Sequence, residues 1–356
     1  MDNKYIPTRT EIIDAFSDFS NVGDRDLIGY GCCENSNPET NIIFPFMTYS
    51  GGCCVTVPLK KAGCSKKCLR IWYKNMPEIE ERSKIVSEGL KASRLKYFLD
   101  YKYVKSAIRI NNIDCPGICM DWEECPTLAE FLKHKDEESG KIQIPTSAEL
   151  TKVKENFYTL CLDLNKAGIA HGDLSSTNIL VKADLNLLLI DYDSMYVPQM
   201  GKDHYKQNIE GTEGYQHKLR DGNLIAAEDN DYFSQQVIYL CLLAFEKSPG
   251  LCKKITDKNL LFYKDDFASN TAFVNSPGFK LIHELKNEEL DFYLEELRIA
   301  VSNPLNEVHS IIETRMPLEQ AKPLIELATY CGTCGHHFEN QTDLYCPDCG
   351  TKRVTL

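Results

Sequence analysis

His171-Gly172-Asp173-Leu174-Ser175-Ser176-Thr177-Asn178-Ile179-Leu180-Val181, followed by Leu189-Ile190-Asp191-Tyr192-Asp193, is the stretch that decides the fold. Asn178 lies five positions after Asp173, and Asp191 lies thirteen after Asn178. Upstream, Leu150, Val153, Phe157, Leu160, Cys161 and Leu164 recur at helical intervals, which predicts an amphipathic helix over 147 to 167 opened by Thr146 or Ser147. Leu187 to Ile190 reads as a short strand. Asp, Ser, Thr and Asn favour turns anyway, so one polar loop alone carries little information. This loop, however, sits between an amphipathic helix and an apolar strand, with a second acidic strand end at a fixed interval.

Working outward, residues 8 to 19 read as a short helix with Ile12, Ile13, Phe16 and Phe19 on one side, and the segment to about 41 reads as loop. Three strands follow, Ile42 to Tyr49, Cys53 to Leu59 and Cys68 to Tyr73, punctuated by Ser50-Gly51-Gly52 and Ala62-Gly63. Pro77 opens a helix to about Leu95, and two further strands are expected near Tyr103 to Ile110 and Gly117 to Trp122. After Pro126 the texture turns helical, with an almost wholly apolar helix at Asp231 to Phe245 and others near 278 to 286, 288 to 302 and 318 to 328. Strands first and helices afterwards predict an α+β protein with two segregated lobes.

The two quoted pieces resemble the protein kinase pattern, in which an Asp is followed by an Asn and then, after a hairpin, by a metal-binding Asp. The match is closest to bacterial kinase-like proteins with a His-Gly-Asp loop and a Tyr-Asp pair after that last Asp, and it covers residues 42 to about 315. The resemblance implies a two-lobed fold that binds ATP and Mg²⁺. Asp173 is then the base that receives a substrate hydroxyl's proton, while Asn178 and Asp191 are the hard oxygen donors for Mg²⁺. Gly51 and Gly52 resemble a shortened Gly-rich phosphate loop. Arg70 stands at the position of the third-strand lysine, and Glu88, 18 residues on, is its expected helix partner, with Glu81 as the alternative. Met120, Asp121 and Glu123 match the hinge that meets adenine. His171 and Asp231 match the groups that brace the catalytic loop. Glu210-Gly211-Thr212 with Tyr215 resembles the end of an activation segment, which favours protein kinases over small-molecule kinases.

Departures from the pattern concern charge. Gly172 stands where many kinases carry an Arg, Ser175 where a Lys assists the transferring phosphate, and Asp193 where a Gly follows the metal-binding Asp and an aromatic residue. Replacing Lys by Arg70 keeps charge but changes shape. Less positive charge around the transition state implies slow or absent transfer.

At the carboxy end, Cys331-Gly332-Thr333-Cys334-Gly335 and Cys346-Pro347-Asp348-Cys349-Gly350 form two CxxCG knuckles, the pattern of a zinc ribbon. Four thiolates so spaced suit structural Zn²⁺, and the Gly after each pair permits the tight turn. Residues 329 to 356 contain two basic residues, Lys352 and Arg353, and three acidic ones, Glu339, Asp343 and Asp348, a balance that points to a protein partner or a structural role rather than nucleic acid.

The whole chain of 356 residues has a net charge of −12 and a pI near 5.2, which argues against general binding to phosphate backbones or anionic lipid. The amino terminus carries no apolar signal segment and no window approaches a membrane span, so a cytoplasmic protein is expected, with its remaining cysteines as reduced thiols. The expected division is an extension at 1–41, a strand-rich lobe at 42–125, a helical lobe at 126–315, a linker helix at 316–328 and the ribbon at 329–356. The expected activity is transfer of the ATP γ-phosphate to a Ser/Thr hydroxyl of a protein. The alternatives are an inactive scaffold of the same fold and a small-molecule kinase.

Overall fold

The computed structural model describes residues 5–34, 46–50, 53–75, 78–135, 140–201, 205–206, 210–220, 224–314, 330–338 and 348–349. The chain divides into a compact unit ending at Thr314 and a second unit from Arg315.

In the first unit, α1 (Arg9–Phe16) is fixed at its start by a reciprocal cap between Thr8 and Glu11 and buries Ile12, Ile13 and Phe16. Six antiparallel strands follow: β1 (Gly31–Cys32), β2 (Tyr49–Ser50), β3 (Cys54–Lys60), β4 (Lys67–Trp72), β5 (Tyr101–Ile110) and β6 (Ile113–Asp121). The sheet order is β1-β3-β4-β6-β5, with β2 also paired to β3. Because side chains alternate across a strand, β3, β4 and β6 sort into two faces. Val55, Val57, Leu59, Leu69, Ile71 and Cys119 pack with α1 in one apolar cluster. Cys54, Thr56, Cys68, Arg70 and Met120 face the other way, into a cavity. Asn111 and Asn112, with φ of 51° and 64°, make the tight turn that joins β5 to β6. The helix α2 (Ile79–Ser93) packs on β5.

Two expectations need correction. The strand expected at Ile42 to Tyr49 is regular only from Tyr49 within the described residues; Phe46 makes a single bridge to Glu34, and Ile42 to Pro45 lie outside them. Gly31–Cys32, expected in a loop, forms an edge strand against Lys60 and Leu59. Its alternation is too short to register as a strand.

The helical part begins with α3 (Leu128–Leu132), followed by a small hairpin of β7 (His134–Lys135) and β8 (Ile142–Gln143). Next comes α4 (Ser147–Ala167), capped by Thr146 with Glu149 and ended by Gly168 at φ 64°. Its six predicted apolar positions are all buried, and they pack on α5 (Tyr232–Lys247). In α5 every residue from Phe233 to Phe245 is buried, as a helix apolar on all sides requires. Between α4 and α5 lies the hairpin of β9 (Ile179–Val181) and β10 (Leu187–Leu189). The remaining helices are α6 (Asn270–Asn275), α7 (Pro277–His283) and α8 (Glu288–Ser302), and α6 and α7 pack against α8. The helix expected over 318 to 328 lies outside the described residues. No described helix is long and apolar enough to cross a membrane.

Candidate active site

Gly168 turns the chain out of α4, and Ala170 pairs with Tyr196, so that His171 to Asp173 enter the interior as a loop. A buried carboxylate holds that loop. Asp231, at the head of α5, accepts the backbone N–H of His171 at Oδ2 and that of Gly172 at Oδ1, the latter at 2.9 Å. Burial raises the Asp231 carboxyl; His171 and Arg220 oppose the rise. Arg220, also buried, donates to the Gly172 carbonyl and, at 3.1 Å, to that of Asn230. The ring of His171 accepts the Asp173 N–H at Nδ1, so its proton sits on Nε2, 2.8 Å from the Ile190 carbonyl. One imidazole therefore ties the 171–173 loop to the residue that follows β10.

Gly172 has φ 79°, and a Cβ added there would lie 2.0 Å from the Ser194 carbonyl oxygen. That contact excludes any larger residue in this backbone, including the Arg that many kinases carry at this place. Ser175, in the place of the usual Lys, is fully buried and hydrogen-bonds Thr177 at 3.0 Å.

Asp173 has each carboxylate oxygen engaged once, Oδ1 by the Thr212 N–H at 2.6 Å and Oδ2 by Asn178 Nδ2 at 3.2 Å. A carboxylate offers about four lone-pair sites, so capacity remains for a hydroxyl. Asn178 Nδ2 also donates to the Asp173 carbonyl at 2.8 Å, and with its nitrogen so spent the amide oxygen is its free hard donor. Asp191 follows β10 with φ 69° and ψ 73°, a left-handed conformation that non-glycine residues adopt at a cost. Tyr192 then anchors the segment. Its hydroxyl donates to Leu189 O at 2.6 Å and accepts the Leu99 N–H at 2.9 Å, and its ring packs against Phe98 and Tyr101.

Arg70 reaches this segment from β4. Its Nη2 lies 2.9 Å from Asp191 Oδ1, 2.9 Å from Asp193 Oδ2 and 3.2 Å from Cys54 Sγ. Burial alone would raise the Asp191 carboxyl, but Arg70 outweighs it and holds the group below the ordinary carboxylate range. Asp193 is more enclosed, at 8% exposure, and burial pushes its carboxyl up despite Arg70. Hydrogen bonding from Cys53, helped by Arg70, brings the Cys54 thiol down to about 7 against the opposing effect of burial. The ligand-capable atoms of Cys53, Cys54 and Asp193 lie within 4.8 Å of one another, but Arg70 already supplies the cation of that nest.

The expected Arg70 partner on the helix is corrected. Glu88 and Glu81 are exposed on α2, whose buried positions are Ile79, Arg82, Ser83, Val86, Gly89 and Leu90. Arg82 donates to the carbonyls of Met195 at 3.0 Å and Lys206 at 2.5 Å. The face of α2 turned inward thus has no carboxylate to offer. Sequence reading missed Asp193, Arg82 and Arg220 as interior charges, because charged residues on a helix or loop default to solvent.

Arg70, Asn178 and Asp191 line one cavity of about 540 Å³ together with Met120, Asp121 and Glu123, within the range of small-molecule sites. Asp121 pairs with Lys67 at 2.9 Å, and the Asp121 and Trp122 amides are spent on the carbonyls of Asp100 and Lys66. Gly51 and Gly52 lie outside the described residues.

In the second unit, the sulfurs of Cys331, Cys334 and Cys349 lie within 4.8 Å of one another, with Cys331 and Cys349 at 3.5 Å. Gly335, at φ 76°, closes the first knuckle by donating to Cys331 O at 2.9 Å. Backbone N–H groups of Cys334 and Thr333 hold the Cys331 thiol below its ordinary range. Cys346 lies outside the described residues.

No curated protein matched this chain. Residues 90–208 match the family model described as RIO1, RIO domain, which covers about a third of the chain and includes Asp173, Asn178, Asp191 and Asp193 but not Arg70. The RIO domain is an atypical protein kinase-like family, and residues 90–208 are similar to it, while the antiparallel sheet and the helices behind it fit a kinase-like fold.

Proposed function

We propose that the first unit is an ATP-dependent phosphotransferase acting on a Ser/Thr hydroxyl. The observation that carries this reading is that Asn178 and Asp191 line one cavity with Arg70, while Asn178 also hydrogen-bonds the Asp173 carboxylate. Adenine would lie against Met120, with main-chain groups of Asp121 and Glu123 at its edge and the phosphates toward Arg70. The substrate hydroxyl oxygen attacks the γ-phosphorus, the bond to the β-phosphate oxygen breaks with ADP leaving, and the hydroxyl proton passes to Asp173. Asn178 and Asp191 would hold Mg²⁺, which supplies charge neutralisation at the phosphates. Asn178 also keeps Asp173 oriented, and Thr212 N–H fixes its second oxygen.

The test is incorporation of labelled γ-phosphate from Mg-ATP into the protein itself or a mixed Ser/Thr peptide library. Asp173→Ala is expected to lower it by about a hundredfold or more. Labelling unchanged in that variant sinks the assignment. A scaffold that binds nucleotide without transfer is favoured by one observation, the burial of Ser175 where an assisting cation is expected. Stabilisation by Mg-ATP with no labelling at high protein concentration would decide for it.

We further propose that Cys331, Cys334, Cys346 and Cys349 bind one structural Zn²⁺. A tetrahedral zinc with sulfur at about 2.3 Å requires sulfurs about 3.8 Å apart, close to the Cys331 to Cys349 separation. Metal analysis of the full chain should return about one zinc, and stripping it with a chelator should make residues 329–356 protease-sensitive. A metal-free tail resistant to protease overturns the site. A zinc-held tail would serve as a docking module for a protein partner.

A further inference from the structure

Among the described residues Arg70 is the one cation that lines the cavity, so whatever aims it matters to the chemistry there. Its carboxylate partners in the structure are Asp191 and Asp193, and both lie against the same nitrogen, Nη2. They are not equivalent. Asp191 lines the cavity and is half exposed. Asp193 lies behind Arg70, nearly buried, and is absent from the cavity wall.

Asp193 is also the better placed of the two to stay put. It sits in the short 3₁₀ turn Tyr192–Ser194, and the preceding Tyr192 is locked by hydrogen bonds to Leu189 and Leu99. α2 offers no substitute, because Val197 and Gln199 pack to within 2.8 Å of a Cβ built on Gly89, while Glu81 and Glu88 face solvent.

We propose that Asp193 is the positioning residue of this site, holding Arg70 toward the nucleotide phosphates in place of a helix carboxylate. Asp191 is then free to turn to a divalent cation while Arg70 stays aimed. The inference rests on the nucleotide-binding part of the proposed function and deepens it.

The experiment is calorimetric binding of Mg-ADP to the full chain, with a double-mutant cycle over Arg70→Gln and Asp193→Asn. Each single variant is expected to weaken binding by about tenfold, since a charge-assisted hydrogen bond is lost or misdirected. The double variant should bind no more weakly than Arg70→Gln alone, which a merely structural role would not produce. If Asp193→Asn does not fold, Asp193→Glu keeps the charge one methylene longer, and its binding should still fall no further in the Arg70→Gln background.

Additive losses overturn the proposal, as does undiminished binding in Asp193→Asn, or a loss in Glu88→Gln as large as in Asp193→Asn. A wild-type protein that binds Mg-ADP and transfers nothing fails only the transfer reading. One that binds no Mg-nucleotide fails both.

Discussion

Asp191→Ala is expected to lower phosphoryl transfer by roughly a thousandfold or more and to make nucleotide affinity insensitive to Mg²⁺. The argument starts from the donor set. Asn178 contributes one neutral oxygen, and Asp191 is the cavity-lining carboxylate that the β9–β10 hairpin brings to it. A magnesium ion held by one or two protein oxygens and by phosphate loses most of its grip when the anionic ligand goes. Folding should be spared, because Arg70 keeps Asp193 and a half-exposed ion pair contributes less than about 1 kcal/mol. Labelling assays with a magnesium titration, beside a urea midpoint within error of wild type, check both halves. A variant that is inactive only because it is unfolded would refute this account.

Asp231→Ala should act the other way round, on stability first. It removes the acceptor of two buried backbone N–H groups, those of His171 and Gly172, and no nearby group replaces it. Each orphaned donor costs about 1 to 3 kcal/mol, so a loss of about 3 kcal/mol or more in urea unfolding is expected. Arg220, itself buried, would also lose the carboxylate that offsets its own burial. Asp231→Asn should recover only part, since its NH₂ would face an N–H donor. Transfer should fall with stability because Asp173 hangs from the same loop. A urea midpoint unchanged from wild type would show that this carboxylate is not the fastening.

The helices were the most legible part of the sequence. Ser147–Ala167 was readable to its ends because a Thr146/Glu149 cap, six apolar positions and Gly168 all agree. The strands β3 to β6 were legible through alternation and turn residues, although β5 and β6 run a few residues longer than the pattern alone suggested. The loop of Asp173 and Asn178 and the strand end at Asp191 could be read from spacing, since the hairpin of β9 and β10 brings Asn178 and Asp191 to one cavity. What surrounds them could not. Whether a Glu on α2 meets Arg70 depends on which face of the helix turns inward, and Arg82 and Gly89 settle that against Glu88. Asp193 looked like a missing glycine, because its value lies in a partner 123 positions away.

The anchoring of Tyr192 has a consequence for inhibitor chemistry. A compound that needed this side chain to swing out of its niche would break two hydrogen bonds, a buried one to Leu189 and a partly buried one from Leu99, and vacate a well-packed aromatic seat. That conformational tax is about 2 to 3 kcal/mol, or roughly a 30- to 150-fold loss of affinity. Compounds that fill the open cavity and leave the tyrosine in place pay none of it, so a screen against this protein should return the second type well ahead of the first.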